Sequence, residues 1–256
     1  MNRVVLVTGA AKNTGLAIIQ RFAKEGYDAV ITSRSLTEAQ EAAAKVSKEY
    51  PNVRILGVEM DPASVASIRA AFAVVKEEFG HLNAYVSNAA HLGVDYSIFN
   101  STEEDWDAVM NANAKGSFFG CQEAVKLMPP GSAICLIGSV HADATIPGRV
   151  LYAASKGAIA SMNHAMAIEL GHLGIRINNL VAGAIHTHRW DGQDEATTAK
   201  RRAHYPIGRE SFGEEIAAGV YYLCSDEAKT VTGSELRIDS GVSCCILPYN
   251  KEWMNK

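Results

Sequence analysis

A chain of 256 residues with 48% hydrophobic and 20% charged side chains has the composition of an ordinary folded globule, and a formal net charge of −4 argues against a nucleic-acid partner. No apolar run approaches the ~18 residues that a membrane crossing needs, and the N-terminal MNRVVLVTGAA lacks the apolar core and cleavage site of a secretory leader. The cysteines, Cys121, Cys135, Cys224, Cys244 and Cys245, are odd in number and show no CxxC or CxxH spacing, which speaks against disulfides and zinc and for a reducing cytoplasm.

Along the chain, short apolar runs alternate with longer amphipathic stretches. Strands are predicted at 3–8, 28–33, 53–60, 83–88, 132–139, 175–181 and 234–239. Several are apolar on both faces, as buried parallel strands are. Helices are predicted at 15–26, 36–50, 62–79, 102–127, 151–172 and 213–225. Asp61-Pro62 reads as an N-cap followed by a first-turn proline, and Glu103 and Glu104 put acids into another first turn. Strict strand–helix alternation implies one doubly wound parallel α/β sheet of about seven strands with helices on both faces. No Pro/Gly/Ser linker or repeat divides it, so residues 1–256 read as a single domain. The stretch 183–212 is polar and long for a connection, which marks a lid or substrate loop.

The first strand runs straight into TGAAKNTGLAI, residues 8–18. Gly9 and Gly15 bracket a tight strand-to-helix turn, where a helix N-terminus offers free N–H groups to a dinucleotide pyrophosphate. Lys12, Asn13 and Thr14 complete this loop. Asn13 stands where the usual fingerprint has a middle glycine, and Asn tolerates left-handed backbone. The second strand ends in Thr32-Ser33-Arg34-Ser35 with no acid for the ribose hydroxyls. Arg34 and Lys12, with a hydrogen bond from Ser33 or Ser35, suit a 2′-phosphate, so NADP(H) is expected over NAD(H).

Further on, Tyr152 and Lys156 in YAASK stand four residues apart, on one face of a predicted helix. With TGAAKNTG (8–15), SNAA (87–90), NANAKG (111–116), GS (138–139), RINNLVAGAIHT (176–187) and IDSG (238–241), the chain resembles the classical short-chain dehydrogenase/reductase family over residues 3–241. The resemblance implies a Rossmann fold and a catalytic tetrad of Asn113, Ser139, Tyr152 and Lys156. A free phenol near pKa ~10 exchanges protons poorly at neutral pH, and an adjacent ammonium lowers it. Lys156 is implied to do this and to bind the nicotinamide ribose. Ser139 is implied to bind the substrate oxygen, and Asn113 to hold a relay water. By the same resemblance Met60 and Asp61 contact the adenine. Asn88, Ala89 and Ala90 line the central sugar, and Gly183, Ile185 and Thr187 hold the nicotinamide end.

His91, His141, His186, His188 and Trp190, with Val140 and Ala142, are the expected substrate-side residues for a small alcohol or ketone such as a sugar, polyol, steroid or other cyclic carbonyl. His186 and His188 have some metal-ligand character, but no third ligand has suitable spacing, and no metal is expected. The tail after Gly241 is long enough to reach the pocket or a neighbouring subunit. Family members commonly form tetramers, so a homotetramer is expected, with a dimer as the alternative. Two other functions stay open. A 3-oxoacyl-[acyl-carrier-protein] reductase would need a basic patch, for which Arg149, Arg189, Lys200, Arg201 and Arg202 are candidates. A dinucleotide-binding sensor would need no Tyr152 or Lys156.

Overall fold

The computed structural model describes residues 2–245. The C-terminal segment 246–256, expected to approach the pocket or a neighbouring subunit, lies outside them. Seven parallel strands form one sheet: β1 (Val4–Val7), β2 (Asp28–Ser33), β3 (Ile55–Glu59), β4 (Ala84–Ser87), β5 (Ala133–Ser139), β6 (Arg176–Ala182) and β7 (Glu235–Ile238). Their order is β3-β2-β1-β4-β5-β6-β7. Neighbouring crossovers therefore diverge between β1 and β4, which opens a crevice at the strands' carboxyl ends.

The helices are α1 (Asn13–Lys24), α2 (Leu36–Glu49), α3 (Val65–Phe79), α4 (Glu103–Met110), α5 (Gly116–Val125), α6 (Val150–Gly171), α7 (Glu195–Arg202) and α8 (Gly213–Cys224). β1 shows why the sheet needs cover on both faces. Val5 and Val7 belong to one core with Ile18, Phe22, Val46, Ile216 and Leu223, from α1, α2 and α8. Val4 and Leu6 belong to the opposite core with Ile68, Phe72, Cys121 and Ile159, from α3, α5 and α6. Each such Val, Leu or Ile contributes ~1.5–3 kcal/mol by leaving water. Among the described residues no helix is long and apolar enough to cross a membrane.

Three predicted elements differ in detail. The helix expected from Pro62 begins at Val65. Asp61 Oδ1 instead accepts from Ala63 N at 3.0 Å, closing a turn around the proline, and Ser64 Oγ caps α3 by accepting from Ser67 N at 3.2 Å. The long helix 102–127 is interrupted by a π-helical segment, Asn111–Lys115, between α4 and α5. The stretch 183–212, expected as a connection without a helix of its own, contains α7, capped by Asp194 Oδ1 accepting from Thr197 N at 2.8 Å.

Candidate active site

The phosphate loop leaves β1 at Thr8. Gly9 has φ +62°, and a Cβ there would lie 3.0 Å from Ala89 Cβ. A Cβ on Gly15 would lie 2.6 Å from Ala10 Cα, so this turn closes only around glycine. Asn13 takes the third special position with φ +51°. α1 then starts with no acid in its first turn and no side-chain cap. Its N-terminal amides and positive dipole end face the crevice, with Lys12 and Asn13 exposed beside them. This cradle fits a dinucleotide pyrophosphate.

Asn88 fastens the loop. Its Nδ2 donates to Thr8 O at 2.8 Å and Gly9 O at 3.2 Å. Thr8 Oγ1 in return accepts from Asn88 N and Ala89 N at 2.9 and 2.8 Å. Sequence reasoning passed over Thr8, although it directly precedes Gly9 in the motif. At the next strand end, Ser33, Arg34 and Ser35 stand over the start of α2, and Met60 N donates to Ser33 O at 2.8 Å. Met60 itself is buried, with Asp61 half-buried after it. Across the crevice Gly183 N donates to Ile238 O at 3.0 Å, and Ile185 forms a bridge with Ser211. Thr187 follows, opening the short 3₁₀ turn His188–Trp190.

The four residues of the expected tetrad lie on elements that meet at the carboxyl edge. Ser139 is the last residue of β5, and its Oγ accepts from His141 N at 3.3 Å. Tyr152 and Lys156 are both buried on α6, and Lys156 Nζ lies 5.5 Å from the centroid of the Tyr152 ring. The ammonium donates to Ile137 O at 2.6 Å. Burial pushes its pKa down to about 8. Asn113 sits inside the π-helical segment, a distortion that often re-aims a side chain at a functional site. It is fully buried and its carboxamide is heavily engaged. Nδ2 donates to His91 O and to Ser155 Oγ, both at 2.9 Å, and Oδ1 accepts from His91 N at 2.6 Å. Ser155 Oγ, also missed in the sequence, donates to Tyr152 O at 2.8 Å. The π segment is thereby tied to α6 beside the Tyr–Lys pair.

The expected substrate residues divide. The His141 ring meets Tyr152 edge-on at 5.6 Å, and its Nδ1 pairs with Thr145 Oγ1 at 2.9 Å. Burial first, and then Arg149, holds its pKa below the ordinary histidine value, so it is neutral at neutral pH. The His91 ring lies parallel to Tyr96 at 6.1 Å. His186 and Trp190 lie in the stretch 183–212, with ring centroids 6.0 Å apart. His188 faces the phosphate loop, where its Nδ1 is 3.1 Å from Asn13 Oδ1.

Glu210, another residue the sequence did not flag, ties together the stretch 183–212. Its buried carboxylate accepts from Arg202 Nε at 2.9 Å and Arg201 Nη2 at 3.1 Å, with His186 Nδ1 at 3.3 Å. The Arg202 hydrogen bond is the main reason its pKa falls to about 2. Arg201 also stacks on Trp190, 3.9 Å from the ring centroid. His186 and His188 therefore serve separate partners. Among the described residues no group of three or more His, Cys, Asp or Glu side chains is arranged to hold a metal ion.

A family model described as enoyl-(acyl carrier protein) reductase matches residues 9–243. Glucose 1-dehydrogenase 2 of Bacillus subtilis (strain 168) is 31% identical over 245 residues, covering 94% of this chain and 95% of that protein. A short-chain dehydrogenase/reductase from Serratia marcescens superposes with a TM-score of 0.88 at 30% identity, over 94% of this chain and 98% of that one. A blue fluorescent protein from a metagenomic library, solved in complex with NADPH, gives 0.86 at 29% identity, over 94% and 97% of the two chains.

Proposed function

The chain belongs to the classical short-chain dehydrogenase/reductase family, and on that premise we propose that it is an NADP(H)-dependent oxidoreductase interconverting a small secondary alcohol and its ketone, with Tyr152 as general acid and base. The observation that carries this proposal is the buried ammonium of Lys156, 5.5 Å from the Tyr152 ring and bonded to Ile137 O on β5, the strand that ends in Ser139. An ammonium that has lost its water interacts strongly with a neighbouring phenol and favours its phenolate. When bound, the dinucleotide supplies the hydride chemistry. The amides at the start of α1 and the Gly9–Gly15 turn hold its pyrophosphate, and Lys12 and Arg34 face the 2′-phosphate. Met60 and Asp61 flank the adenine, Asn88 to Ala90 the central sugar, and Gly183, Ile185 and Thr187 the nicotinamide.

In the reducing direction Ser139 Oγ donates a hydrogen bond to the substrate oxygen and stabilises the charge growing there. Tyr152 gives that oxygen its proton and regains one through Lys156. Asn113 spends both N–H donors on His91 and Ser155, so a relay water has only the second lone pair of Oδ1 and the local backbone to hold it. Neutral His141, edge-on to Tyr152, offers a polar contact to a hydroxyl next to the reacting carbon. Sugars and polyols match such a wall, and a glucose dehydrogenase stands among the relatives. A carrier-protein reductase is the weaker reading, because Arg201 and Arg202 point inward to Glu210 rather than forming a docking patch.

We also place the protein in the cytoplasm as a homotetramer. Its five cysteines are free, and Trp106, Phe118 and Ile168 on α4, α5 and α6 are 46%, 42% and 83% exposed, as an apolar assembly face requires.

The deciding experiment is fluorescence titration of the purified protein with NADPH and NADH, followed by cofactor oxidation against ketones, sugars and acyl thioesters. Tighter NADPH binding with turnover on a hydroxylated ketone is expected. Turnover on acyl thioesters alone would replace this reading with the carrier-protein one. Binding without turnover on any class would point to a sensor.

A further inference from the structure

Four polar side chains converge where β2 hands over to α2. Ser33 Oγ donates to Glu38 Oε2 at 3.0 Å and accepts from Ser35 N at 3.3 Å. Ser35 Oγ caps the helix by accepting from Glu38 N at 3.3 Å. Lys12 Nζ, reaching over from the phosphate loop, is 3.8 Å from Glu38 Oε1. An acid at this third helical position usually turns back to the cap residue's own N–H. Here Ser33 Oγ takes that N–H, and the Glu38 carboxylate is drawn toward the strand end and the loop instead. It thereby occupies Lys12 and Ser33, two of the groups assigned above to the 2′-phosphate. Among the described residues no carboxylate lies within ion-pair distance of Arg34.

We propose that Glu38 is a specificity-determining residue for the dinucleotide, setting the margin between NADPH and NADH. The proposal deepens the functional reading above and rests on it. A 2′-phosphate brings nearly two negative charges and must compete with the carboxylate for Lys12 and for the Ser33 proton. A 2′-hydroxyl carries no charge and donates a hydrogen bond to a carboxylate. Glu38 therefore works against the attraction of Lys12 and Arg34 for NADPH and leaves room for NADH at the same site. A purely helical role would predict no difference between the two cofactors, since a first-turn acid acts on the helix dipole whichever one binds.

The test is fluorescence titration of the full-length protein, wild type and Glu38→Gln, with NADPH and NADH at low and at high salt. Gln keeps the length of the side chain and an acceptor for Ser33, and removes only the charge. The ratio of Kd for NADH to Kd for NADPH is expected to rise about tenfold at low salt, chiefly through tighter NADPH binding, and to rise less at high salt. Glu38→Ala should move the ratio in the same direction, which guards against a special contact made by Gln. An unchanged ratio, or equal weakening of both cofactors, overturns the proposal and leaves the functional reading standing. Failure of the wild type to bind either cofactor overturns both.

Discussion

At the scale of single residues, Tyr152 and Lys156 carry different burdens. Tyr152→Phe keeps the ring and removes the acidic proton. Turnover is expected to fall by about a thousandfold, while NADPH affinity stays within about twofold. Steady-state rates and fluorescence titration on the same preparation measure the two; wild-type turnover in the variant would remove Tyr152 from the proton path. Lys156 carries a cost to folding. Its pKa drops from 10.5 to about 8 because burial disfavours the ammonium. Between those values the unfolded chain holds a proton that the native one lacks, so stability rises with pH across that window. Below about pH 8 the native state bears the charge and its full desolvation cost. Lys156→Met is thus expected to be more stable than the parent at pH 7, by about 1–3 kcal/mol, with the gain shrinking as pH climbs toward 10. Urea midpoints at three pH values measure it, and a gain that does not change with pH would contradict the assignment.

At the scale of elements, α7 has no apolar stripe of its own. Its buried anchor is Glu210, outside the helix, which holds Arg201 and Arg202. Glu210→Ala should release it, and tryptic cleavage after Lys200, Arg201 or Arg202 should accelerate about tenfold, with cleavage elsewhere unchanged. Mass spectrometry of timed digests locates the cuts, and an unchanged rate at these sites would show that α7 is held by something else. The same dependence explains why α7 was not legible in the sequence. Asp194 and Glu195 at its start and three cations at its end were visible, but hydrophobic periodicity was not, since ion pairs replace apolar contact there. The π segment escaped for a related reason. The widened turn at Asn113 goes with side-chain bonds to His91 and Ser155, which are far away in sequence. The Asp61-Pro62 signal had real local content, the turn onto Ala63, but the helix waited for Ser64. By contrast α1, α2, α6, α8 and all the strands lay close to their predicted ranges, because burial of both sheet faces prints itself directly on the residue pattern.

For the whole molecule, the alternation of elements implies one doubly wound parallel sheet but not its order; the order β3-β2-β1-β4-β5-β6-β7 is what opens the crevice between β1 and β4. What the sequence left dark were the polar fasteners, Thr8, Ser155, Glu38 and Glu210, whose partners are set by the fold. Thiol chemistry reads the assembled body as one object. Cys121, Cys135 and Cys224 are buried, Cys244 is exposed and Cys245 partly so. Ellman's reagent should titrate two thiols in the native protein and five in denaturant. A third fast thiol would mean that the body opens well below its global unfolding.

The segment from Asn88 to His91 is pinned at one end by Thr8 and at the other by Asn113. It is a single short strap with the Gly9–Gly15 loop at one buckle and α6, the helix of Tyr152 and Lys156, tied to the other through Asn113 and Ser155. Substitutions there will not respect the division between choosing a coenzyme and choosing a substrate. Paired with changes at Thr8 they should be non-additive, and paired with changes at Asn113 they should be non-additive again. A lineage drifting toward a new alcohol can thus revise α7, which carries no site residue, but it must keep the strap or alter both ends of the site at once.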